Sequence, residues 1–185
     1  MLLGHPLRRL VHPPGRILAP FVALGMTVLE PGPGVGFFTV ELARRVGPSG
    51  RVVAVDVRPQ MLDELRRRAA RAGVLDRIDA RVAQPNRLGT DDLAGSVDFV
   101  LAFAMVHEVP DAAAFFADVA ATLRPGGRLL LVEPAGHVDA RRFAAELHAA
   151  ERAGLRPAPH PALRPRAWLS RTTVLVKPKG GDTDA

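Results

Sequence analysis

Residues 26–37, Met-Thr-Val-Leu-Glu-Pro-Gly-Pro-Gly-Val-Gly-Phe, restrict the fold more than any other stretch of the chain. A β-prone run, Met26 to Glu30, ends in an acid. Gly32, Gly34 and Gly36 follow at alternate positions, and a helix-compatible segment begins directly after them. A strand that passes through a glycine-rich turn straight into a helix is how open α/β sheets hold a nucleotide-like ligand. Glycine serves there because a Cβ would keep the backbone away from the ligand, and because it tolerates positive φ.

The remainder alternates in the same way. Hydrophobic spacing predicts a short helix over about Pro14–Leu24, a strand at Met26–Glu30, a helix over Gly36–Val46 and a strand at Arg51–Asp56. A helix over Pro59–Ala72 and a weaker strand at Ile78–Ala83 follow. Residues 84–96 read as a connection with a short turn near Thr90–Leu93. Val97–Phe103 is continuously apolar, as a strand buried on both faces should be. A helix over Asp111–Leu123 should stop at Leu123-Arg124-Pro125-Gly126-Gly127, ahead of a strand at Arg128–Glu133. In the next helix, Val138–Ala153, Asp139, Arg142 and Glu146 oppose Phe143, Leu147 and Ala150. The proline-rich stretch 155–168 can form only an irregular edge strand, against which a final strand at Arg171–Lys177 can pair antiparallel. Strict alternation of strand and helix implies a Rossmann-like α/β fold, with a doubly wound and mostly parallel sheet. The expected organisation is an N-terminal segment with a short helix covering the cleft (1–25), one domain (26–178) and a disordered tail (179–185).

Composition narrows the class. With 185 residues and 48% hydrophobic content, the chain can bury one substantial core. It has no cysteine, hence no disulfide, thiolate metal site or cysteine nucleophile. The longest apolar run, Ile17 to Leu29, is broken by Pro20 and Gly25 and is too short for a bilayer. The N-terminus lacks the apolar core of a signal peptide, so a cytoplasmic location is expected. The net charge of +6 comes almost wholly from arginines spread along the chain, lysine occurring only at 177 and 179. The one local run, Arg66-Arg67-Arg68, reads as a solvated helix face, because nucleic-acid binders concentrate charge on one surface.

Two cofactor classes compete for the glycine loop. The dinucleotide pattern, G-x-G-x-x-G, needs its third glycine at 37 or 39, and those positions hold Phe37 and Thr39. The spacing present is acid-x-G-x-G-x-G. An acid at the strand end opposes a polyphosphate and suits a ligand bearing an ammonium, a sulfonium and ribose hydroxyls, as S-adenosylmethionine does. Asp56, ending the second strand, stands where a carboxylate can accept both ribose hydroxyls.

With these features in register, the chain resembles the class I S-adenosylmethionine-dependent methyltransferases. The resemblance is nearest to compact stand-alone bacterial and archaeal members related to the quinone-biosynthesis C-methyltransferases. It is carried by residues 25–39, Val53-Ala54-Val55-Asp56, residues 97–102 and Leu123-Arg124-Pro125-Gly126-Gly127. It implies a seven-stranded sheet with strand 7 antiparallel. It also implies roles: Glu30, Gly32, Gly34 and Gly36 for the aminocarboxypropyl part, Asp56 for the ribose, and Val57 and Met61 flanking the adenine. Ala83 and Gln84 would border the adenine's amino edge, and Ala102 and Phe103 would touch the cofactor from the end of strand 4. Many members carry an acid where Gln84 stands. An amide oxygen can still accept, so weaker binding is expected.

The acceptor side is read from the C-terminal edge of the sheet. A sulfonium methyl is already activated, so a base is needed only where the acceptor carries a proton at neutral pH. His107, Glu108, Glu133 and His137 are the ionisable groups near strands 4 and 5. His107 or His137 is the expected general base, oriented by Glu133 or Glu108. The spacing of these groups matches no recognised metal-ligand pattern, so no metal is expected. No Asn/Asp-Pro-Pro-aromatic motif follows strand 4, which argues against exocyclic-amine methylation of bases. The expected function is methyl transfer to O, N or C of a small molecule. The alternatives are an RNA or protein methyltransferase and a non-catalytic cofactor-binding regulator. A homodimer is one way to cover the cleft.

Overall fold

A computed structural model describes residues 13–84, 86–159 and 170–180. The expectations for residues 1–12, His160, Trp168 and the last five residues of the tail lie outside these. Seven strands form one sheet in the order β3-β2-β1-β4-β5-β7-β6. The chain divides into two compact units, Met1–Ala83 and Gln84–Ala185.

In the first unit, β1 (Thr27–Pro31), β2 (Arg51–Asp56) and β3 (Ile78–Val82) alternate with α1 (Pro14–Leu18), α2 (Thr39–Val46) and α3 (Pro59–Arg71). The strands pair in parallel, Thr27 opposite Arg51 and Val52 opposite Ile78. Val52 to Val55 are buried on both sides of the strand, as a parallel sheet covered by helices requires. Leu62 and Leu65 of α3 pack with Ala54, Ile78 and Ala80. Each such leucine, fully removed from water, contributes roughly 1.5–3 kcal/mol. Two helices are shorter than their hydrophobic spacing suggests. α1 ends at Leu18 because Pro20 has no N–H with which to extend the ladder. α2 begins at Thr39, since Gly36 at φ +79° is spent on the turn before it.

In the second unit, β4 (Val97–Phe103) runs parallel to β5 (Leu123–Pro134), and β5 runs antiparallel to β7 (Ser170–Val176). β6 is only Arg156–Pro157, an edge piece antiparallel to β7, as the proline-rich stretch foretold. α4 (Ala112–Thr122) and α5 (Ala140–Arg152) open on aspartates. Asp111 accepts from the Ala114 N–H at 3.0 Å, and Asp139 from the Arg142 N–H at 2.7 Å. Caps of this kind contribute about 1 kcal/mol each. Phe115 and Phe116 are core residues in an edge-to-face pair.

β5 begins five residues earlier than Arg128. Leu123 already pairs with Val97, and the register shifts before Arg128 meets Phe99. The Pro-Gly-Gly stretch is therefore an irregularity inside the strand rather than a stop. It fits because a Cβ at Gly127 would stand 3.0 Å from the Val97 carbonyl oxygen and 2.8 Å from that of Arg124.

Candidate active site

In the first unit, β1 carries Glu30 into the glycine turn. Glu30 is buried at the strand end, the Gly32 N–H donates to the Val55 carbonyl at 2.8 Å, and the Gly36 N–H to that of Pro33 at 3.1 Å. The first bond ties the turn to β2, and the second closes the turn on itself. Gly32, Gly34 and Gly36 all have positive φ, and at two of them the environments differ. A Cβ at Gly34 would meet nothing within 4 Å, whereas one at Gly36 would lie 3.1 Å from Leu65 Cγ. Gly34 thus keeps a surface open, while Gly36 lets α3 approach.

Asp56, at the end of β2, is also buried. Its Oδ1 accepts from the Arg58 N–H at 2.9 Å and from Arg58 Nε at 3.2 Å. Its Oδ2 is buried and has no hydrogen-bond partner among the described residues. The neighbouring strand ends are apolar and exposed: Val57 is 51% and Val82 58% accessible. Met61 is half-buried, Ala83 donates its N–H to the Asp56 carbonyl at 3.0 Å, and Gln84, exposed, begins the second unit in a bridge with Arg87.

In the second unit, Ala102 is fully buried and Phe103 is half-buried at the end of β4. Ala104 then adopts φ +55°, which is rare for a residue with a Cβ, and its N–H is held by the Val132 carbonyl at 2.7 Å. This bend turns the next two amides toward β5. The Glu133 carboxylate, with no exposed surface, accepts from the Val106 N–H at 2.8 Å and the Met105 N–H at 3.2 Å through Oε1. Its Oε2 is hydrogen-bonded to His107 Nδ1. The His137 ring lies 5.5 Å from the His107 ring, centroid to centroid, and is exposed. Glu108, the other candidate orienter, is exposed and makes none of these bonds.

Two further residues join this cluster; the helix spacing puts both on an outward face, and Glu146 departs from it while Arg142 does not. Arg142 of α5 donates through Nη2 to the His107 carbonyl at 2.6 Å, and its Nε is 4.0 Å from Glu146 Oε1. Glu146 is only 5% exposed, so the polar side of α5 is turned inward at that position. Burial, with the Glu133 charge adding to it, pushes the Glu146 carboxyl up to about 7 against the opposing pull of Arg142 and His107. The spacing of Arg142 and Glu146, one helical turn apart, was visible in the sequence; the burial of Glu146 was not, whereas Arg142 is exposed as its spacing suggests. Among the described residues, no three His, Cys, Asp or Glu side chains are grouped to hold a metal ion, and no helix is long and apolar enough to cross a membrane.

Comparison with known proteins agrees with the fold. Residues 28–127, more than half of the chain, match the family model described as a methyltransferase domain. Among curated proteins, the arsenite methyltransferase of Halobacterium salinarum is 34% identical over 110 residues, 60% of this chain and 27% of that protein. The ubiquinone/menaquinone biosynthesis C-methyltransferase of Hahella chejuensis is 35% identical over 112 residues, 60% of this chain and 44% of that protein. The matched stretch thus spans less than half the length of each. A solved structure of an S-adenosylmethionine-dependent methyltransferase from Aquifex aeolicus superposes with a TM-score of 0.80 at 23% identity, covering 95% of both chains. The chain belongs to the methyltransferase-domain family, as a class I S-adenosylmethionine-dependent methyltransferase domain with that cofactor.

Proposed function

We propose that this protein transfers the methyl group of S-adenosylmethionine to a small molecule whose reacting O, N or C atom must first lose a proton. The observation that carries the reading is the His107–Glu133 pair.

The first unit fits the cofactor. Asp56 Oδ2 is a buried carboxylate oxygen without a protein donor, and a ribose hydroxyl would supply one. Val57 and Val82 give an apolar edge suited to an adenine face, with Met61, Ala83 and Gln84 close to it in sequence. The open side of Gly34 leaves room for the aminocarboxypropyl group near Glu30. Bound S-adenosylmethionine supplies a methyl on a positively charged sulfur, open to in-line displacement.

The second unit supplies a base. Glu133 Oε1 accepts from two backbone N–H groups, and on this reading His107 Nδ1 donates to Oε2, which leaves Nε2 as the basic nitrogen. With the cofactor bound, Nε2 would take the proton that the acceptor atom loses as it is methylated. The two backbone donors and His107 hold Glu133 as a carboxylate that can stabilise the imidazolium so formed. The exposure of His137 and its ring 5.5 Å from that of His107 support a role for it in contacting the acceptor or accepting the proton in turn. The small-molecule reading is favoured over RNA by the pairing of the Arg66–Arg68 region. Arg66 is bonded to Asp63 and the Ala80 carbonyl, and Arg67 to Glu64, which leaves little free charge for phosphates.

The test offers tritiated S-adenosylmethionine and a panel of phenols, catechols and 1,3-diketones to the wild-type chain, to His107→Gln and to the variant with both histidines replaced. Turnover should fall about 100-fold or more in His107→Gln, in the range for a lost general base. Cofactor affinity by calorimetry should stay unchanged. Undiminished turnover in the double variant would remove the base reading, and affinity lost along with turnover would place the histidines in cofactor binding instead.

A further inference from the structure

Glu146 is a buried acid for which the proposed chemistry has no use. Its Oε2 is enclosed and lacks a hydrogen-bond partner among the described residues, and Oε1 faces Arg142 Nε at 4.0 Å. Arg142 in turn holds the backbone carbonyl of His107 at 2.6 Å. A carboxyl is expensive to enclose without a partner, and nothing in helix packing calls for one there.

We propose that Glu146 is a positioning residue: through Arg142 it braces the turn that carries His107, and the brace responds to the ionisation of Glu146. This rests on the reading of His107 as the base. When Glu146 is neutral, Arg142 has no anionic partner on its own helix. When it ionises, the opposite charge one turn away anchors the guanidinium and firms its hold on the His107 carbonyl. The groups that act on Glu146 are Glu133 from β5, His107 from the turn after β4, and Arg142 from α5 itself. On α4, which packs against α5, Asp118 is engaged by the Leu88 N–H and Arg87, and on β7 Arg171 donates to the Val138 carbonyl. His137 is exposed beyond His107. The raised carboxyl of Glu146 puts the change near neutral pH, where it matters to a working enzyme.

The experiment needs no acceptor. Backbone amide shifts of residues 106–109 are followed by NMR across about pH 5.5–8.5 in the wild-type chain, in His107→Gln and in the double variant that adds Glu146→Gln to it. A transition near pH 7 should appear in the wild type, persist in His107→Gln, where the imidazole at 107 no longer contributes one of its own, and vanish in the double variant. Loss of the transition in His107→Gln alone would assign it to the histidine and overturn the proposal, as would its survival in the double variant. Where an acceptor from the panel is turned over, kcat of Glu146→Gln above pH 7 should fall about three- to tenfold with cofactor affinity unchanged, since small misplacements of a reacting group carry costs of this order. An unchanged kcat there, in a chain that His107→Gln inactivates, overturns the role of Glu146 while sparing that of His107. Undiminished turnover in His107→Gln removes both.

Discussion

Glu133 and His107 come from different strand ends, 26 residues apart, yet share a hydrogen bond inside a carboxylate site that solvent does not reach. Such a carboxylate stays buried only while its acceptors are filled, here by the N–H groups of Met105 and Val106 and by the imidazole. Glu133→Gln keeps the volume but brings an NH₂ against donors. We expect a loss of about 2–4 kcal/mol in unfolding free energy, from broken hydrogen bonds to a buried charge. Urea unfolding checks it. A change below about 0.5 kcal/mol would mean that the loop is held by something else.

The glycine turn separates a folding role from a binding role. Gly36→Ala forces a Cβ to 3.1 Å from Leu65 at φ +79°, so both strain and a clash apply. The expected cost is about 2 kcal/mol or more. Gly34→Ala bears the strain alone, about 1 kcal/mol, because its Cβ enters open space. That space is proposed for the cofactor, so Gly34→Ala should weaken S-adenosylmethionine binding at least about tenfold. Thermal unfolding and calorimetry on the two variants should give opposite rankings. A larger stability loss at Gly34 would reverse the assignment.

Much of this architecture was legible because its signals are local. Gly32, Gly34 and Gly36 declare a turn, and β2 and β4 coincide with their apolar runs from Arg51 to Asp56 and from Val97 to Phe103. What escaped depends on contacts distant in sequence. Pro125-Gly126-Gly127 looks like a terminator, but pairing of Leu123 with Val97 draws it into β5. Glu146 belongs by spacing to a polar face, and its burial one turn from Arg142 is set by packing that the helix pattern does not carry. The choice of Glu133 over Glu108 as the partner of His107 follows from the bend at Ala104, for which alanine gives no cue.

Ala104 allows a direct test of that bend. Its φ of +55° lies in the left-handed region, where a Cβ costs about 1–2 kcal/mol. Glycine would relieve the strain but loosen the unfolded chain, and the two effects nearly cancel. Ala104→Gly should therefore leave stability within about 0.5 kcal/mol of wild type, whereas the β-branched Ala104→Val should lose about 2 kcal/mol or more. Equal effects of the two substitutions would show that the backbone does not need this conformation.

The enclosed acid gives the last prediction its sign. Glu146 keeps its proton up to about pH 7 in the folded chain, against 4.5 for an ordinary glutamate. Between those values the folded state binds more protons than the unfolded state, so stability falls as pH rises through the window and levels off above it. At about 1.4 kcal/mol per unit, the fall attributable to this residue is at most about 3.5 kcal/mol. Glu146→Gln has no proton to lose there. Its stability relative to wild type should climb between about pH 5 and pH 8, read as diverging urea midpoints at constant m-value. Parallel pH curves for the two proteins would show that Glu146 titrates as an exposed acid does.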